Sequence, residues 1–111
     1  MKLCYKIWLD NNGKSFGWGP YQLLVNVEQY GSLREAACVM KMSYSKAWKT
    51  INMIENKMGF AFLHRVTGGL DGGGATLTEE GKLFLEKYQG FIEETDQALV
   101  RLFEKYFQIE K

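Results

Sequence analysis

The stretch GSLREAACVMKMSYSKAW, residues 31–48, sets two helix starts close together on the chain. Ser32 is followed three residues later by Glu35, the reciprocal capping pattern in which a hydroxyl and a carboxylate each accept from an otherwise unpaired backbone N–H. Leu33, Ala36, Ala37 and Met40 then recur at helical spacing. A second start falls at Ser43, after which Ala47, Ile51, Ile54 and Met58 share one face and Gly59 stops the helix. Only Lys41 to Ser43 separate the two, and two short capped helices joined by so tight a turn predict a helix-turn-helix over 32–58.

The flanks complete a single domain, which 111 residues are enough to build around one core. LCYKIWL alternates apolar and other side chains from Leu3 to Leu9, and DNNGKS carries Asn-Gly at its centre, so a hairpin over 1–17 is expected. Pro20 suits a first helical turn, and Leu23, Leu24, Val27 and Tyr30 continue a helix to Gly31, giving three helices over 20–58. FAFLHRV and ATL read as two strands joined by glycines, a unit spanning 60–78. From Thr78 to about 108, Leu85, Tyr88, Ile92, Thr95, Leu99, Leu102 and Tyr106 hold an apolar seam with alternating spacings of three and four.

Charge separates along this plan although the net charge is only +1. Between Gly31 and Arg65, Arg34, Lys41, Lys46, Lys49, Lys57 and Arg65 face two acids, Glu35 and Glu55. From Glu79 to Lys111 the balance reverses, with eight acids and five bases. The middle of the chain therefore suits a polyanion. Cys4 and Cys38 fall in stretches that read as core and form no close-spaced motif, which suggests reduced thiols and a cytoplasmic setting. No apolar run reaches the length of a membrane span. His64, the only histidine, has no metal ligand at usable spacing, and no nucleophile or acid–base arrangement stands out. The reading is a non-enzyme with no metal and no cofactor.

GSLREAACVMKMSYSKAW, MGFAFLHR, GGLDGGGATLTEEG and the leading KIWLDNNG together resemble the DNA-binding domain of the molybdate-dependent transcriptional regulators, the ModE type. More distantly, Ser43, Ile51, Glu55, Gly59, Arg65, Leu77, Thr78 and Gly81 are similar to the LysR-type winged helix-turn-helix. The resemblance implies a mainly α fold with a small β component: a winged helix-turn-helix with an N-terminal hairpin and a long C-terminal dimerisation helix. It implies a transcriptional regulator that binds double-stranded DNA. It does not carry over molybdate sensing, because nothing in the 111 residues matches the further region in which such regulators hold molybdate.

On that reading the helix from Ser43 is the recognition helix, with Tyr44, Ser45, Lys46, Lys49 and Thr50 directed outward near its start. Ser32 caps its helix and can receive a phosphate at the exposed amides there, and Arg34 beside it is a backbone contact. Trp48 reads as a packing residue. Gly72, Gly73 and Gly74, within a run of five glycines in eight residues, would let the wing lie close to the nucleic acid backbone, with Arg65 adding charge. Leu85, Tyr88, Ile92, Leu99, Leu102 and Tyr106 are assigned to a homodimer seam. Two rival readings stand beside this one: a receptor that holds a small oxyanion, molybdate or phosphate, in the glycine loop, and a protein-interaction module that docks a partner on the long helix.

Overall fold

The computed structural model describes residues 1–65 and 74–107. Along the chain these form β1 (Trp8–Asp10), β2 (Lys14–Gly17), α1 (Trp18–Tyr30), α2 (Leu33–Val39), α3 (Tyr44–Met58), β3 (Leu63–Arg65), β4 (Ala75–Leu77) and α4 (Glu79–Phe107). The architecture is a winged helix-turn-helix, three helices and a small antiparallel β3–β4 pair, with the β1–β2 hairpin in front and one long helix behind.

The hairpin is shorter than the alternation from Leu3 suggests, because only Trp8, Leu9 and Asp10 find partners. Its second strand turns into α1 directly after Gly17, so nothing remains opposite the residues before Trp8. Asn12 and Gly13 both take positive φ in the turn, which these two residue types tolerate best. Cys4, expected in the core, lies exposed on the unpaired N-terminal segment. Cys38 is exposed too, since α2 buries Leu33, Ala36 and Ala37 and turns position 38 away from that stripe. α1 begins two residues ahead of Pro20, which is tolerated in its first turn because N–H groups there have no intrahelical acceptor to lose.

α1, α2 and α3 enclose Leu23, Leu24, Val27, Ala36, Ala47, Ile51 and Ile54, all fully buried. An aromatic cluster carries this core out to the hairpin and α4. Phe16 stacks on Phe62 at 5.8 Å and takes the edges of Phe84 at 4.8 Å and Tyr88 at 5.0 Å. The wing strands pair Leu63 with Leu77 and Arg65 with Ala75, so both leucines point inward and His64 and Thr76 outward.

Thr78 joins the wing to α4. Its hydroxyl donates to the Ala61 carbonyl at 2.7 Å and accepts from the Gly81 N–H at 2.9 Å, capping the helix while fixing it to the residues that lead into β3. Gly81 meets that segment so closely that a Cβ there would lie 2.9 Å from the Phe62 carbonyl oxygen. From this anchor α4 runs 29 residues, about 43 Å at 1.5 Å per residue. Its far half projects beyond the core, in a molecule measuring 60 × 27 × 22 Å.

Candidate nucleic-acid interface

α3 buries Ala47, Ile51 and Ile54, and the opposite line of the helix carries Ser45, Lys49, Asn52 and Asn56. All four are exposed, at spacings of four, three and four that keep them in one row. The only acid of α3, Glu55, sits off this row, where its carboxylate accepts from the Phe62 N–H at 2.8 Å and the Leu63 N–H at 3.2 Å. The outer row is therefore cationic and amide-bearing without an opposing carboxylate. Asn52 and Asn56 were not singled out from the sequence, although their spacing from Ser45 and Lys49 marks them as the same face.

Ser43 and Ser32 act as caps, accepting from the N–H of Lys46 and of Glu35 respectively, each at 3.0 Å. Each hydroxyl keeps its proton for a further acceptor. Tyr44, half-buried at the start of α3, carries the Arg34 guanidinium over its ring at 4.2 Å. Its ring meets the Trp48 ring edge-on at 6.1 Å, and Trp48 is covered in turn by the Arg65 guanidinium at 4.3 Å. Two cations thus flank a pair of rings across α2, α3 and β3. Arg65 also donates to Asn52 Oδ1 at 3.1 Å and to Glu55 Oε1 at 3.2 Å. It thereby links the wing strand to the side of α3, and its charge is shared with Glu55.

The other flank of α3 faces the hairpin. The Asn11 amide donates to the Lys57 carbonyl at 2.7 Å, and Lys57 Nζ donates to the Asn12 carbonyl. Lys57 is thereby held by the hairpin, away from the outer row. Thr50 does not project outward as its position near the helix start suggests. It is half-buried on the hairpin side and its hydroxyl donates to the Lys46 carbonyl at 3.0 Å, which removes it from the outer row. Lys46 is exposed at the edge between the two surfaces.

Gly72 and Gly73 lie outside the described residues. Gly74 is described, and it abuts the turn after α1: a Cβ there would stand 3.1 Å from the Gly31 carbonyl oxygen, which also accepts from the Ala75 N–H at 3.2 Å. Its bareness permits this close approach within the protein. The seam on α4 also divides. Leu85 and Tyr88 are buried in the chain's own core, and Ile92 is half-buried against that core. Leu99 is half-buried, and Leu102 and Tyr106 are exposed on the projecting half, where Val100 and Phe107 are exposed as well. The Tyr88 hydroxyl is buried without a hydrogen-bond partner among the described residues, and burial beside Tyr21 pushes its pKa up.

Comparison with known proteins agrees with this geometry. The chain is 35% identical over 88 residues to the molybdenum transport protein ModE of Azotobacter vinelandii, a match covering 79% of this chain and 33% of that protein. It is 35% identical over 66 residues to the DNA-binding transcriptional dual regulator ModE of Escherichia coli K12, covering 60% of this chain and 25% of that one. The chain thus spans about a third or less of the length of these relatives. In fold it is similar to the protein in the crystal structure of the CbnR_DBD–DNA complex, with a TM-score of 0.60 at 22% identity, covering 75% of this chain and 90% of that one. No helix among the described residues is long and apolar enough to cross a membrane. The family model that matches residues 19–82 takes in the three helices, the wing and the Thr78–Gly81 anchor, and by it this chain belongs to the lysR family of bacterial regulatory helix-turn-helix proteins.

Proposed function

We propose that this chain binds double-stranded DNA sequence-specifically, as the recognition domain of a transcriptional regulator that acts as a homodimer in the bacterial cytoplasm. The observation that carries the reading is the outer row of α3, Ser45, Lys49, Asn52 and Asn56, exposed and free of acids on a helix whose width suits the major groove. Lysine supplies phosphate or guanine contacts, and asparagine has the paired donor and acceptor that match adenine's major-groove edge. Arg34, Lys46 and the capped start of α2 flank this row as backbone contacts. The similarity to the DNA-binding regulator of Escherichia coli K12 supports the same reading.

The projecting half of α4 supplies the second part. Exposed Val100, Leu102, Tyr106 and Phe107 on a helix that has left its own core call for a partner, and a second copy offers the same surface in return. Two recognition helices would then address half-sites about one helical turn, ~34 Å, apart. The oxyanion-receptor alternative loses support at Gly74, which adjoins a carbonyl oxygen that would repel an anion.

The test is a titration of a random-sequence duplex at several salt concentrations, followed by selection of bound sequences. Affinity that falls steeply with salt, together with enrichment of a two-fold motif, is the expected result. Absence of binding at low salt would overturn the reading.

A further inference from the structure

A cavity of about 640 Å³ opens between the hairpin, the hairpin-facing flank of α3 and α4, and of the residues that the proposed DNA surface uses only Lys46 reaches it. Its walls are aromatic and thioether groups drawn from every side: Trp8 from β1, Trp18 from the start of α1, Met42 and Met53 from α2–α3, and Tyr88 and Ile92 from α4. Trp8 and Trp18 are 46% and 56% exposed, a large apolar area left open beside a core in which other aromatic rings are tightly paired. Tyr88 is 3% exposed at the back of this space and carries the unpartnered hydroxyl. Three lysines, Lys6, Lys14 and Lys46, border the cavity against one acid. That acid, Asp96, already accepts from the Tyr5 hydroxyl, and Lys14 lies over the Trp8 ring at 4.9 Å.

We propose that this cavity binds a planar two-ring aromatic carboxylate, its rings between the tryptophans and methionines and its carboxylate paired with Lys46. The volume falls in the range of small-molecule sites and is too large for a single ring to fill. Indole faces and thioethers favour a flat π-system, and the surplus of cations at the rim favours one negative charge over a neutral or cationic ligand. A polar atom on the inner ring edge gives the Tyr88 hydroxyl the partner it lacks, after a small shift that brings the two into reach. Lys46 stands on α3 beside the row assigned to DNA, so an occupant that pairs with it withdraws a cation from the phosphates. This regulatory half of the inference rests on the DNA-binding reading; the ligand site does not.

The probes are 1-naphthoate and indole-3-acetate, titrated into the full chain while tryptophan fluorescence and amide NMR shifts are followed. Saturable binding of at least one probe at one site per chain is expected, with shifts centred on Trp8, Trp18, Met53 and Ile92. Lys46→Met and Tyr88→Phe each weaken it at least fivefold, and neutral 1-naphthylmethanol binds at least tenfold more weakly than 1-naphthoate. Met53→Trp, which fills the space, abolishes binding in a chain whose melting transition remains cooperative. A saturating probe lowers DNA affinity at least threefold in the original chain and leaves it unchanged in Lys46→Met. No saturable binding of either probe, or equal binding of the neutral alcohol, would overturn the site. So would protection of Trp8 and Trp18 from acrylamide on self-association with loss of association in Trp18→Glu, since a second copy would then occupy the space. Binding that leaves DNA affinity untouched overturns the coupling to DNA and keeps the site, whereas failure to bind DNA in the absence of a probe counts against the DNA reading alone.

Discussion

The Arg65 guanidinium lies 4.3 Å above the centre of the Trp48 ring while its Nη2 stands 3.2 Å from Glu55 Oε1. One side chain thus ties the wing strand to the recognition helix by two different forces, a cation against a π face and a charge-assisted hydrogen bond. The bond between the partly exposed Arg65 and Glu55 is screened by solvent, and the stronger constraint is Glu55's grip on two backbone N–H groups.

Glu55→Ala strands the N–H groups of Phe62 and Leu63 at a buried strand start and is expected to destabilise by about 2–3 kcal/mol. Glu55→Gln keeps a carbonyl acceptor and loses less than half as much. Urea denaturation of both variants decides it: equal losses would show that the carboxylate's charge, not its hydrogen bonds to the backbone, sets the geometry.

Arg65 and Lys49 separate in DNA binding. Lys49→Ala weakens binding to all sequences and lowers the salt slope by about 0.9, the signature of one lost phosphate contact. Arg65→Met weakens binding through a loosened wing, with a salt slope changed by less than half of that. Anisotropy titrations from 50 to 300 mM salt read both numbers, and a full unit lost in Arg65→Met would make it a phosphate contact.

Asn56→Ala is expected to relax base preference at one position of the selected site, by about 1–3 kcal/mol between the favoured and other bases. Its melting temperature stays close to that of the parent, because Asn56 is exposed. Competition binding against single-base variants of the selected site tests it, and an unchanged preference profile removes Asn56 from the interface.

Gly81→Ala places a methyl group 2.9 Å from the Phe62 carbonyl oxygen, in the segment before β3 that Thr78 also holds, so neither neighbour can move freely. The expected loss is ~1–3 kcal/mol of stability, as for an overpacked core site. Gly90→Ala, where an added Cβ meets no other described part of the chain within 4 Å beyond its own helix backbone and sequence neighbours, gains up to about 1 kcal/mol of helix propensity. Thermal melts of the pair make the contrast, and a stable Gly81→Ala chain would mean that the helix start can slide.

Alkaline stability reports on Tyr88. Its folded-state pKa is raised above the ordinary 10.0, chiefly by burial and then by Tyr21. The neutral phenol is favoured in the folded chain, so no penalty exists below pH 10 and stability falls once the unfolded chain ionises above it. Tyr88→Phe removes the unpartnered hydroxyl and is expected to be neutral or stabilising by about 1 kcal/mol at pH 7 and to fall less steeply between pH 10 and 11. Denaturation midpoints across that range measure it; a destabilised Tyr88→Phe at neutral pH would reveal a partner for the hydroxyl.

The sequence by itself determined the helices. Ser32 with Glu35, Ser43, Gly31 and Gly59 carry their instructions in caps and stops that act over three or four residues, and the spacing of Ala47, Ile51 and Ile54 dictates which face of α3 is buried. Such signals are local, so a short window contains them. Tertiary structure alone decided which outward residues are free. Arg65 and Thr50 both sit at positions that suit a DNA contact, yet one is bound by Trp48, Asn52 and Glu55 and the other by its own helix on the hairpin side. Gly74 belongs to a glycine run whose bareness suggests a ligand, and its neighbour is the carbonyl of Gly31, 43 residues earlier. The seam on α4 is continuous in sequence, and only the extent of the core divides Leu85 and Tyr88, which the chain covers itself, from Leu102 and Tyr106, which it leaves open. Periodicity tells which side chains share a face; what lies against that face depends on segments brought together by packing, and no local spacing records them.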